Sequence, residues 1–114
     1  MRLDEVIARD GGVCVWCGAE PWRRDLTAEH LLPKGRGGRG LAENLAVACR
    51  ACNKRRRTRS VWAFVRAQQD AAKAPRLDLL ERDLARLAAS SLRVHGQYGR
   101  RQLALLRRLP VSGR

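Results

Sequence analysis

The apolar positions change period along the chain, and each change marks an element. Leu3, Val6 and Ile7 recur at helical spacing and predict a short helix over 3–9, ended by Gly11-Gly12. Residues 26–32 (LTAEHLL) are rich in apolar and β-branched side chains and predict a strand that Pro33 ends. Residues 34–40 (KGRGGRG) have no apolar position and predict a flexible basic loop. Residues 44–48 (NLAVA) predict a second short strand or a turn, and from Arg50 the sequence turns helical. Ser60 suits the N-cap of a helix over 61–74, with Val61, Trp62, Phe64 and Val65 on its apolar side. Beyond Pro75, Leu77, Leu80, Leu84 and Leu87 form one stripe. Leu103, Leu106 and Leu109 form another, after Gly96 and Gly99, which are expected to break the segment that holds them. Trp16, Trp22 and Trp62 are expected in the core.

This order predicts an α+β fold in two parts. Residues 1–59 form a small strand-loop-strand-helix module, and residues 60–114 a helical extension. The extension either packs on the module or pairs with a second copy, so the chain is expected to be a monomer or a homodimer through its C-terminal helices. A core of this size is marginal and would gain from a metal staple.

The charge narrows the partners. Twenty-four Lys and Arg face 11 Asp and Glu, a net +13 in 114 residues. The excess clusters: six of the ten residues 50–59 are basic. A polyanion is the implied partner. No stretch reaches the roughly 20 apolar residues of a membrane span. The opening residues carry acids and no apolar run, so a cytoplasmic protein without membrane contact is expected.

The four cysteines add a metal. They fall in two Cys-x-x-Cys pairs, Cys14 with Cys17 and Cys49 with Cys52. That spacing turns both thiolates of a pair onto one ion, and two pairs complete a tetrahedral zinc site. Such a zinc is structural, because four thiolates leave no position open for water. The 31 residues from 18 to 48 make a longer insertion than a simple zinc ribbon needs. Inside that insertion lie Glu29-His30 and Asn44, and Asn53 follows the last cysteine. A zinc site requires none of these four.

Residues 14–54 resemble the HNH (ββα-metal, or His-Me finger) endonucleases of the four-cysteine zinc-binding subtype. The resemblance rests on Cys14-x-x-Cys17-Gly18, Thr27-Ala28-Glu29-His30-Leu31-Leu32-Pro33, Gly37-Gly38, Glu43-Asn44-Leu45 and Cys49-x-x-Cys52-Asn53-Lys54. It implies a ββα-metal module stapled by zinc that nicks DNA by hydrolysing phosphodiester bonds. His30 would be the general base, a role that suits an imidazole neutral near pH 7. Glu29, where the family more often has Asp, would hold one catalytic divalent cation such as Mg²⁺ or Mn²⁺. Asn53 would share that cation, its amide oxygen being a hard ligand. Asn44 would brace the loop that positions His30 without touching substrate. DNA would be held mainly by its phosphates, through Lys34, Arg36, Arg39, Arg50, Lys54, Arg55, Arg56 and Arg57. His95, beside the glycines, is expected to play no part.

Two other readings fit the residues. One is a zinc-dependent nucleic-acid-binding module without turnover, for which Glu29 in place of Asp is the hint. The other is an interaction protein whose leucine stripes, Leu80 and Leu84 above all, hold a partner.

Overall fold

The two predicted strands form an antiparallel hairpin around the glycine loop. In the computed structural model, which describes residues 1–110, β1 (Leu26–His30) pairs with β2 (Leu45–Cys49). Leu26 stands opposite Cys49, and His30 opposite Leu45. β1 stops two residues before the expected end. At Leu32 the side chain of Asn44, in place of a partner strand, takes both main-chain groups.

Side chains alternate across this hairpin. Leu26, Leu45 and Val47 meet Val6 of α1 (Leu3–Asp10) in a small cluster, with Ile7 and Ala28 at its edge. Ala46 and Ala48 face the other way, into the main core. α2 (Arg50–Arg56) follows β2 directly, and the Cys49 Sγ caps it by accepting from the Cys52 N–H at 3.4 Å. α3 (Val61–Asp70) starts as expected, with the Ser60 Oγ accepting from the Ala63 N–H at 3.1 Å. It ends earlier than expected, in a turn where Ala72 takes a φ of 57°.

The last third holds α4 (Leu77–Ala88) and α5 (Arg93–Leu106). Contrary to expectation, α5 runs unbroken through Gly96 and Gly99. The glycines are there for close approach: a Cβ on Gly99 would lie 2.5 Å from the Ala88 nitrogen on α4. The gain in packing outweighs the roughly 1 kcal/mol that a mid-helix glycine costs.

Both leucine stripes point inward. Leu77, Leu80, Leu84 and Leu87 join Leu103, Leu106 and Leu109 in one core with Trp16, Leu31, Phe64, Cys14 and Cys52. The extension therefore packs on the metal module. Leu80 and Leu84 are fully buried, which overturns the reading of them as a partner-binding stripe. Trp22 is the exception among the tryptophans. It is 76% exposed, whereas Trp16 is buried edge-on against Phe64, with ring centroids 5.1 Å apart. No helix among the described residues is long and apolar enough to cross a membrane.

Candidate metal centre and catalytic site

The hairpin and α2 bring the two cysteine pairs together. The sulfurs of Cys14, Cys17, Cys49 and Cys52 all lie within 4.8 Å of one another, and none is in a disulfide. Four sulfurs around one zinc at ~2.3 Å would stand about 3.8 Å apart, so a small inward shift closes the site. Burial pushes the Cys14 thiol up to about 12 and raises the Cys52 thiol as well. Thiolates clustered in so dry a place need a cation, and the set fits a metal ion such as zinc.

Neighbouring groups orient the sulfurs. The Trp16 N–H donates to Cys14 Sγ at 3.4 Å, and the Arg55 guanidinium to Cys52 Sγ at 3.4 Å. Gln68 of α3 lies 3.6 Å from Cys52 Sγ and donates to the Trp16 carbonyl at 2.8 Å. Sequence reasoning missed Gln68. Its signal is a polar residue in register with Val61, Phe64 and Val65 on the apolar side of α3.

A second site opens at the end of β1. Glu29, His30, Lys34, Asn53 and Arg57 line a cavity of about 290 Å³. Glu29 and His30 are neighbours on a strand and would point to opposite faces. They reach one cavity because His30 is the last residue of β1. The His30 Nε2 is buried beside Gly40, with no hydrogen-bond partner among the described residues. Burial lowers the His30 pKa, and the charges of Lys34 and Arg56 add to the effect, so the ring is neutral at pH 7.

Glu29 is 5% exposed. Its Oε2 accepts from the Trp16 indole N–H at 2.9 Å, and its Oε1 lies 3.4 Å from the Arg56 guanidinium. Burial raises its pKa against the opposing pull of Arg56. Each carboxylate oxygen keeps a second lone pair for a cation. Asn53 donates weakly from Nδ2 to Thr27 Oγ1 at 3.4 Å, and its Oδ1 has no donor among the described residues. A carboxylate and a free amide oxygen beside one cavity make a donor set suited to a hard divalent cation.

Asn44 is fully buried behind the cavity. Its Oδ1 accepts from the Leu32 N–H at 2.8 Å, and its Nδ2 donates to the Leu32 and Arg39 carbonyls at 3.0 Å each. All this bonding is to the loop after His30. Gly38 must be glycine here, because a Cβ would collide with the Leu32 carbonyl.

Arg56 corrects the sequence reading. It was grouped with the phosphate contacts, yet it is fully buried. Its guanidinium donates to the carbonyls of His30 (2.6 Å), Leu31 (2.5 Å) and Arg59 (3.0 Å), and stacks over Trp16 at 4.9 Å. No surface is left to meet DNA. Lys34, Arg36, Arg39, Arg50, Lys54, Arg55 and Arg57 are exposed. Of these, Lys34 and Arg57 line the His30 cavity. Arg50 and Lys54 line an adjoining hollow that Asn53 shares. Arg36, Arg39 and Arg55 line neither.

His95 is the other correction. It sits buried within α5, where its Nε2 accepts from the Arg39 N–H at 3.0 Å. Its proton is therefore on Nδ1, which donates to Glu43 Oε2 at 2.8 Å; the Ser90 hydroxyl donates to the same oxygen. α5 thus fastens the basic loop that carries Gly40 past His30.

Residues 14–68 match the family model of HNH endonucleases. The match takes in both cysteine pairs, the His30 cavity, α2 and most of α3, and so includes Gln68. Neither curated proteins nor solved structures give a match.

Proposed function

We propose, from the place of residues 14–68 in the HNH endonuclease family, that this chain is a divalent-metal-dependent nuclease that nicks DNA. The observation that carries the reading is the shared cavity of Glu29, His30 and Asn53, with Lys34 and Arg57 at its rim. His30, neutral at pH 7, takes a proton from the attacking water. Glu29 and Asn53 would hold the cation. When bound, it supplies charge stabilisation on the scissile phosphate and the leaving oxygen. Lys34 and Arg57 draw the phosphate in and offset its charge. Asn44 and Arg56 act from behind, by fixing the main chain of His30 and of the loop that follows it.

Zinc in the cysteine cluster holds the hairpin to α2 and does no chemistry. DNA is gripped by its phosphates through the exposed basic residues, without a base-reading surface. The leucines of both stripes are buried within the chain, which favours a monomer that nicks one strand at a time. Free thiols gathered for a metal suit a reducing, cytoplasmic setting.

The test is supercoiled plasmid incubated with zinc-loaded wild type and with His30→Ala, with and without Mg²⁺ or Mn²⁺. Relaxed circles from wild type only, and only with added cation, are expected. Tight salt-sensitive binding by both proteins without cleavage would sink the enzyme reading and leave a binding module.

A further inference from the structure

On the far side of Arg57 from His30 lies a second, larger cavity, of about 450 Å³. Lys54, Arg55, Arg57 and Arg59 line it, all of them exposed, and no carboxylate does. Phe64 and Ala67 of α3, and Ala71 just beyond its end, line it as well. Arg55 and Gln68 join this space to the Cys52 sulfur at one wall, and the rest of it has no part in the metal centre.

Four cations around a cavity with no acid repel one another and are stable only beside solvent or an anion. The arrangement is held in place. Arg55 is tied by the Gln68 Oε1 at 3.0 Å, and the Arg59 guanidinium lies over the Phe64 ring at 5.9 Å. Arg57 lines both cavities. It ends α2 at φ 56° and ψ −126°, a conformation that glycine adopts freely and other residues rarely do. A chain that keeps Arg at this place retains a cation at the seam, at a cost of about 1–3 kcal/mol in backbone strain.

We infer that this second cavity is a nucleotide subsite: it takes the nucleotide next to the scissile phosphate on the strand being cut. The phosphate of that nucleotide is held by Arg57, Lys54, Arg55 and Arg59. Its base and sugar lie against the guanidinium planes and the apolar lining, as bases do on Arg elsewhere. A base within a duplex cannot enter such a space, so the preferred substrate has an unpaired or extruded nucleotide beside the cleavage point. The inference rests on the nuclease reading for its biological sense, but the binding it asserts is testable without turnover.

The probe is thymidine 3′,5′-bisphosphate, titrated by calorimetry into zinc-loaded protein with no other divalent cation. Pyrophosphate serves as the charge-only control. Two variants are compared, each checked for its circular dichroism. Arg59→Ala removes one cation, and Ala71→Trp fills the cavity without changing charge. The nucleotide should bind more tightly than pyrophosphate, and each variant should weaken it about tenfold or more. Ala71→Trp should leave pyrophosphate binding nearly unchanged. Equal binding of the two probes, or nucleotide binding indifferent to Ala71→Trp, overturns the subsite. Plasmid nicking run in parallel separates the failures. Nicking with no nucleotide selectivity sinks the subsite alone. Selective binding with no nicking by wild type sinks the nuclease reading and leaves the subsite standing.

Discussion

Replacing Arg56 by Ala should unfold the domain far more readily than it weakens DNA binding. The guanidinium is the buried counter-charge of Glu29, and it donates to the carbonyls of His30 and Leu31. Removing one partner of a buried ion pair costs about 3–5 kcal/mol. Each orphaned carbonyl costs about 1–3 kcal/mol more, less whatever relaxation or water recovers. The expected loss is at least ~4 kcal/mol, a large part of the roughly 5–15 kcal/mol that holds a domain of this kind together. Arg56→Lys should recover only a fraction, because one ammonium cannot span the same acceptors. Urea unfolding at fixed zinc concentration, followed by tryptophan fluorescence, gives the number. Lys54→Ala is the comparator; it should cost under ~0.5 kcal/mol and lower the salt slope of DNA binding by about one. The reasoning fails if Arg56→Ala stays within about 1 kcal/mol of wild type, or if its main effect is on the salt slope.

Zinc removal by a chelator should abolish cooperative unfolding, since structural zinc in small modules contributes on the order of 10 kcal/mol; metal analysis and circular dichroism check it, and an unchanged unfolding transition would refute it. The acid limb of kcat/KM should fall below 6.5, the ordinary value for histidine. The His30 pKa is lowered, so the base is present above the depressed value and is lost only as pH falls through it. A limb at or above 6.5 would contradict that assignment. Gly99→Ala should destabilise by about 1–3 kcal/mol despite the better helix propensity of Ala, because the new methyl meets the Ala88 backbone at 2.5 Å. Thermal unfolding decides it, and a raised Tm would show that α4 and α5 can part without cost.

The cysteine cluster, the hairpin and the start of α2 were legible because they are local. Cys-x-x-Cys spacing, a glycine loop and an alternating strand need no tertiary context. What the sequence hid lay across long separations. Arg56 stands among four consecutive basic residues, and composition made it look solvated. Its one signal is that it follows the buried Cys52 by four and so shares that face of α2. His95 was masked by the glycines beside it, which read as a break but serve contact between helices. The leucine stripes were recognised correctly as apolar faces. Whether such a face turns inward or toward a partner is decided by what else is available to cover it, here the underside of the metal module. Trp22 offered no sequence sign of its exposure.

The fastening of the basic loop by α5 bears on how the protein is born. The cysteine knuckles and His30 precede α5 in the order of synthesis. His95, which ties down Arg39, and Tyr98, whose hydroxyl accepts from the Val61 N–H at 3.0 Å and lies 3.4 Å from Arg56, are made after all of them. A nascent chain can therefore capture its metal while the loop over His30 is still slack. The loop beside His30 is fastened only when α5 docks, so a chain still lacking α5 would hold its metal before the cavity is set.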